Sequence, residues 1–228
     1  MKTLCCDIGS GSLRVAIIEY EDECVLKTKP LAVATEPLTI FNNRIDFYEQ
    51  STEQIWSAFC KCTTQCLSQT GLRLVESIKH FPIDAIAVSA TCSLVIIEDR
   101  DIQDGEFDVI MWMDHRAKEE AKIINQSKNE VLNQFGGTCS PEFSLAKLFW
   151  LFRNDRHRFD SAQAFMELSD WLTYRCSEYF GKPELFPRSL CCVTCKWGYD
   201  SINGKWRGDL FEQIGIINIY LFIICFIK

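Results

Sequence analysis

An α/β domain is the fold class this sequence predicts, and three stretches predict it. Near the N-terminus two short apolar runs, 4–6 and 13–18, rich in β-branched residues and cysteine, flank Gly9 and Gly11. That pattern is a β-hairpin with a tight turn at its tip. Residues 52–70 carry apolar side chains at helical spacing. Residues 83–90 form a continuous apolar run of strand length that ends in the polar corner Thr91, Cys92 and Ser93. A helix between strands, with polar residues at a strand's carboxyl end, describes an α/β layer with a crevice at that end.

Composition bounds what such a domain does. At 228 residues with 47% hydrophobic content, the chain can build one large domain or two small ones around a substantial core. Its 24 Lys+Arg against 31 Asp+Glu give a net charge of −7 with no long basic run, so nucleic acid and anionic membrane surfaces are poor partners. The thirteen cysteines are odd in number, and many sit inside apolar runs with no signal peptide ahead of them. Buried free thiols in a reducing cytosol are therefore expected. Neither Cys60, Cys62 and Cys66 nor Cys191, Cys192 and Cys195 has the paired spacing of a zinc site, and the only histidines are His80, His115 and His157.

The elements follow in order. The hairpin tip offers the amides and hydroxyls of Gly9, Ser10, Gly11 and Ser12, with Asp7 just before it and Arg14 just after. Amides at such a tip can receive phosphate oxygens, and an adjacent acid can hold a metal ion or its water; the same pattern equally describes an ordinary turn. A charged turn at 19–23 leads to a third strand, 24–33, which Pro30 breaks or confines to an edge. Three antiparallel strands thus open the domain. A short extended piece at 45–49 precedes the helix over 52–70, with Ser51 as N-cap, Gln54 as its capping-box partner and Gly71 past the end. Ile55, Phe59, Cys62 and Cys66 supply its core face.

The run 83–90 reads as a strand covered on both faces. The corner after it is either a substrate rim or a plain turn, and 94–97 resume a strand. After an acidic loop at 99–108, residues 109–117 pass from a buried strand into a helix start, where Asp114 suits an N-cap. Arg116 in a first helical turn opposes the dipole, so a group outside the helix should use it. Ser140 and Pro141 should open a helix to about residue 154, with Glu142 as a favourable N-terminal acid. A further helix starts near Ser169 and Asp170 and runs to about residue 179, where Gly181 to Pro183 end it. Residues 189–195 read as a buried strand that delivers Lys196 at its end.

Several of these stretches, taken together, resemble the FGGY family of carbohydrate kinases, in its ribulokinase-like branch. They are Asp7 to Arg14, Ala90 to Val95, Met111 to Ala117, Gly136-Gly137, Ser140 to Glu142, Lys147 to Leu151, and Arg188 to Cys191 with Cys195-Lys196-Trp197. Their order and approximate spacing are far more specific than any one of them. The resemblance implies an actin/hexokinase-like (ribonuclease H-like) ATPase domain, a mixed sheet with flanking helices, the first of that family's two domains. It implies ATP and Mg²⁺ as cofactors, with Asp7, Gly9, Ser10, Gly11, Ser12 and Arg14 on the phosphate and metal side. It places Thr91, Asp114, Arg116, Glu142 and Lys196 on the side of a small-molecule sugar, a pentulose such as D-ribulose.

The resemblance covers 1–215. Residues 216–228 are almost wholly apolar and depart from the family pattern, and they are too few to cross a membrane, which takes about 20 such residues. In the family the catalytic base, an aspartate, and the adenosine pocket belong to the second half, so no complete catalytic base is expected in this chain and the chain alone is expected to be inactive. A non-catalytic sugar-binding or interaction protein derived from a truncated kinase is the alternative, with self-association through exposed apolar surface. An actin-like ATPase or chaperone fragment shares the first hairpin but does not predict Trp112-Met113-Asp114-His115-Arg116.

Overall fold

The computed structural model describes residues 1–20, 29–71, 83–98, 107–177, 181–182 and 185–216. Most of the expected turn and the strand start, 21–28, most of the acidic loop at 99–108 and the apolar tail after Ile216 fall outside them, whereas the helix expected to run to about residue 179 ends at Arg175, where the Cys176 N–H closes it on Leu172 O. The described residues form two compact units, one of 1–40 with 51–91 and one of 41–50 with 92–228.

The first unit begins with β1 (Lys2–Ile8) and β2 (Ser12–Glu19), the expected hairpin. β3 (Pro30–Pro37) pairs antiparallel with β2, and β6 (Ala85–Ala90) pairs parallel with β1. The sheet is therefore mixed, in the order β3-β2-β1-β6. Pro30 starts β3 rather than breaking it, because the first residue of an edge strand needs no ladder donor. Leu4, Cys6, Ile8, Leu13, Val15 and Ile17 turn one face inward against α1 (Thr52–Gln69). The helix meets them with Ile55, Phe59, Cys62 and Cys66, as its spacing predicts, and the Cys66 thiol donates to Val15 O at 3.4 Å. Burial pushes the Cys62 thiol up to about 11, and every described cysteine is a free thiol.

Ser51 caps α1 by accepting the Gln54 N–H at 3.4 Å. The other half of the capping box is replaced. The Gln54 side chain accepts the Thr39 N–H at 2.8 Å and donates to Thr39 Oγ1 at 3.0 Å, tying down the chain after β3. Ser51→Ala should lower stability by about 1 kcal/mol, read as a shift of the urea midpoint with unchanged slope.

β6 departs from the expectation of a strand buried on both faces. Its Ala85, Ile86, Ala87 and Ser89 are exposed, with Ile86 at 44%. An apolar run names a preference for burial, while cover comes from neighbours, and among the described residues β6 pairs only with β1.

The second unit holds an antiparallel sheet in the order β4-β5-β8-β7-β9. Its strands are β4 (Phe41–Arg44), β5 (Phe47–Gln50), β7 (Leu94–Glu98), β8 (Val109–Ile110) and β9 (Ala162–Glu167). α2 (Lys118–Gln126) and α4 (Arg156–Ser161) pack on α3 (Ser144–Asn154). α5 (Leu168–Arg175) packs on β9 and β7. Leu94, Ile110, Ala121, Leu148, Phe165 and Phe211 belong to one continuous core. A short 3₁₀ turn (Glu130–Phe135) packs on α6 (Leu190–Lys196), which leads to the small ribbon β10 (Tyr199–Asp200) and β11 (Lys205–Trp206) and to α7 (Gly208–Gln213). Gly215 at φ 80° ends α7, and the Ile216 N–H returns to Phe211 O at 2.9 Å, with Ile216 buried.

Two elements correct the sequence reading. The stretch expected as a strand at 189–195 is helix α6, whose one buried side chain is Val193. Its cysteines, valine and threonine favour a strand in isolation, but strand preference yields to tertiary context. The helix expected from Ser140 begins at Ser144 instead, because Ser140 Oγ accepts the Glu142 N–H at 3.3 Å and Ser140 O accepts the Phe143 N–H at 3.0 Å, closing a separate turn. Among the described residues, no helix is long and apolar enough to cross a membrane.

Candidate functional site

In the first unit the strand register sets Asp7 opposite Arg14, and the two side chains pair at 2.6 Å. Both are about half exposed, 49% and 55%, so the pair adds at most about 1 kcal/mol to stability. Its consequence is geometric, since it fixes the carboxylate on the sheet face that α1 does not cover. At the tip Gly9 donates to Ser12 O at 2.9 Å, and a Cβ on Gly9 would lie 3.3 Å from that same oxygen. Gly11 has nothing within 4 Å of where its Cβ would stand. Neither glycine takes a positive φ. The tip needs glycine for close approach at one position, and at the other it leaves bare backbone open to a ligand. Thr91, at the carboxyl end of β6, donates its N–H to Ile8 O at 3.0 Å.

In the second unit the turn at 111–116 is held from the interior. The Met111 N–H reaches Tyr48 O at 3.0 Å, the Trp112 N–H reaches Ser93 Oγ at 3.2 Å and the His115 N–H reaches Asp46 O at 2.9 Å. Asp114 is fully buried, accepts the Tyr48 N–H at 2.8 Å and binds Arg116 through both oxygens. Arg116, its side chain 3% exposed, also donates to Glu49 at 2.8 Å and lies 4.0 Å over the Phe47 ring. Asp114 therefore does not cap α2, whose N-cap position is Ala117. The expectation that a group outside the helix uses Arg116 is met by Asp114, Glu49 and Phe47. Both residues were expected beside a substrate, yet the fold turns both inward.

Lys147, fully buried on α3, donates to Met111 O at 2.5 Å and to Trp112 O at 3.3 Å. Desolvation pulls its pKa down to about 8, with Asp114 and Glu167 opposing that shift. Glu167, at the end of β9, accepts from Ser144 Oγ and from Trp197 Nε1, the latter at 2.8 Å, while its second oxygen has no partner among the described residues. Burial raises its pKa to about 7.

Glu142, His115 and Lys196 remain open to solvent. Glu142 Oε1 and His115 Nε2 stand 3.1 Å apart with side chains 37% and 40% exposed. The Lys196 ammonium lies 4.3 Å from the centre of the Phe143 ring, the residue after Glu142. α6 and the turn at 140–143 thus bring Lys196 close to Glu142's neighbour across a long sequence gap. Selection by residue type in the sequence passed over His115, which stands in the quoted motif, and Glu167, which carries no motif signal.

As to metal ions, no three His, Cys, Asp or Glu among the described residues are grouped to hold one. Asp7 has one oxygen engaged by Arg14, and a single half-exposed carboxylate suits Mg²⁺, which keeps most of its waters.

Comparison with known proteins accounts for this combination. The N-terminal domain of the FGGY family of carbohydrate kinases matches residues 3–189. The human FGGY carbohydrate kinase domain-containing protein is 33% identical over 218 residues, covering 92% of this chain and 36% of its own length. The D-ribulokinase of Saccharomyces cerevisiae is 28% identical over 224 residues, covering 92% of this chain and 29% of its own. Among solved structures, a ligand-bound xylulose kinase from Lactobacillus acidophilus superposes with a TM-score of 0.74 at 15% identity, over 100% of this chain and 42% of that one. Plasmodium falciparum glycerol kinase with ADP superposes at 0.75 and 14% identity, over 99% and 42%. At those identities the two structures establish the fold alone. The chain spans about a third of the length of the curated relatives it matches, 36% of the human protein. It belongs to the FGGY family of carbohydrate kinases, and what it spans is that family's N-terminal domain.

Proposed function

We propose that this chain is the phosphate- and sugar-binding N-terminal part of an ATP-dependent kinase that phosphorylates a pentulose, with D-ribulose as substrate. The observation that carries the reading is the display of Glu142 and Lys196 beside one turn, in a chain similar to a D-ribulokinase. A carboxylate and an ammonium open to solvent accept from and donate to sugar hydroxyls.

Phosphoryl transfer requires the phosphates and Mg²⁺ to be held, a hydroxyl placed in line and a base for its proton. In this chain the amides and hydroxyls of Gly9, Ser10, Gly11 and Ser12 would face the terminal phosphate, and Asp7, steadied by Arg14, would hold Mg²⁺ through its water. Bound Mg²⁺ would supply charge neutralisation on the phosphates. Asp114 and Arg116, enclosed as they are, serve by fixing the turn from which Trp112 and His115 project. The reading takes 1–215 as the kinase portion and 216–228 as a tail outside the family pattern, and it assigns no residue here as the base.

A coupled ADP-release assay with MgATP and D-ribulose, run beside calorimetric titration with D-ribulose, tests this. The chain alone should bind the sugar without turning it over, and Lys196→Ala should weaken binding about tenfold. Turnover by the chain alone would overturn the assignment of the base elsewhere. No sugar binding at all would favour the interaction reading, which rests on Leu31, Val33 and Ile86, exposed by 47%, 48% and 44%. Under that reading size-exclusion chromatography should show self-association.

A further inference from the structure

The turn at 111–116 combines two features that ordinary surface turns do not share. Its interior side is heavily constrained. A buried lysine is spent on the carbonyls of Met111 and Trp112, and a fully buried aspartate is bound through both oxygens by Arg116. Groups of this kind are costly to bury and are tolerated where paired and hydrogen-bonded. Its outer side carries Trp112, 37% exposed, and His115, whose backbone is fixed by the bond from its N–H to Asp46 O. Asp46 itself holds a positive φ of 69° at that point. The rigid frame thus sets where the imidazole stands.

What the imidazole meets is equally fixed. Glu142 belongs to the turn that Ser140 closes, and its carboxylate lies 3.1 Å from His115 Nε2. As a surface ion pair this contact would contribute little to stability. As a ligand-facing pair it offers a strong acceptor and, 3.1 Å away, a ring nitrogen able to donate or accept. Neighbouring hydroxyls on a carbon chain present two oxygens at a comparable separation, each both donor and acceptor. One hydroxyl can give its proton to Glu142 while the adjacent one bonds the imidazole.

We propose that His115 is a specificity-determining residue which, with Glu142, recognises a vicinal diol of the sugar. This rests on the reading of the chain as a pentulose-binding portion and adds the residue that would read two adjacent hydroxyls at once. Such a site discriminates by leaving its own polar groups unpaired when one hydroxyl is missing.

The test is calorimetric titration of the full 228-residue chain with D-ribulose and with a deoxypentulose lacking one hydroxyl of the diol, with thermal melts as the folding control. Wild type should bind D-ribulose and discriminate against the deoxy sugar by about tenfold or more. His115→Phe, which keeps the ring shape without its nitrogens, should lose about tenfold in affinity for D-ribulose and bind the two sugars alike. His115→Gln should recover part of the discrimination, a rescue that a purely structural role does not predict. If His115→Phe folds and discriminates as wild type does, the assignment of His115 is wrong while the pentulose reading stands. If wild type binds no pentulose, that reading falls and takes His115 with it.

Discussion

Lys147→Ala should lower the unfolding free energy by about 3–5 kcal/mol, because it removes one partner from a buried charge cluster and opens a cavity. The ammonium is enclosed on α3 and donates to Met111 O and Trp112 O, with Asp114 and Glu167 close enough to act on its charge. Without it the Met111 carbonyl loses its side-chain donor in a place water does not reach. Lys147→Met keeps most of the volume and removes the desolvated charge, and Met111 O keeps its bond from the Asp114 N–H at 3.1 Å, so the loss should stay near the worth of one hydrogen bond from a charged donor, about 1.5–3 kcal/mol. Urea unfolding of the three proteins at neutral pH measures both. An alanine variant within about 0.5 kcal/mol of wild type, the range of ordinary surface substitutions, would show that the turn at 111–116 is held without it. The same variants should disturb the placement of Trp112 and His115, so sugar affinity should fall with stability in Lys147→Ala.

The second large effect is a trough in stability near neutral pH, produced by Glu167 and Lys147 together. Burial raises the Glu167 carboxyl from 4.5 to about 7, so between those values the folded protein holds a proton that the unfolded chain has released. Its stabilising contribution is complete below pH 4.5 and is lost as pH rises through 7, to a maximum of roughly 3 kcal/mol. Lys147 runs the other way. Desolvation lowers it from 10.5 to about 8, so its contribution is complete above 10.5 and is lost as pH falls through 8. Between about pH 7 and 8 both groups are charged in the interior.

Other groups titrate as well, among them Asp200, drawn down to about 2 by its bonds to Asn203, and the buried Cys62 thiol. Difference curves isolate the pair. Wild type minus Glu167→Gln should slope downward from pH 4.5 to 7, and wild type minus Lys147→Met should slope upward from 8 to 10.5. A flat difference curve for either variant would mean that the group is solvated in solution. Glu167→Leu, which removes the oxygen that accepts the Trp197 indole N–H, should also loosen Trp197 and with it the end of α6 where Lys196 stands.

How far the sequence reaches depends on the range of the forces involved. The β1–β2 hairpin, α1 with its Ser51 cap, and the apolar face of Ile55, Phe59, Cys62 and Cys66 were all legible, since each follows from residues within a few positions of one another. α6 was not, because a single buried residue, Val193, links it to the core, and its composition argues for a strand. The ordered motifs were enough to place the chain in its family, and they did so through spacing rather than contact.

Side-chain direction was the part that residue type could not decide. Asp114, Arg116 and Glu142 are all polar residues in or beside turns, yet the first two are buried against β5 and the third faces solvent beside His115. Gln54 has the identity of a capping-box partner and instead ties down Thr39. β6 carries the apolar run of a covered strand and lies exposed. The hairpin, the first helix and the family were thus determined by sequence alone, because local periodicity, caps and glycine spacing are written in neighbouring residues. Which polar groups are enclosed as framework and which are displayed was decided only in the tertiary structure, because burial and pairing depend on partners such as Tyr48, Glu49 and Lys147, which lie far along the chain and meet only when it folds.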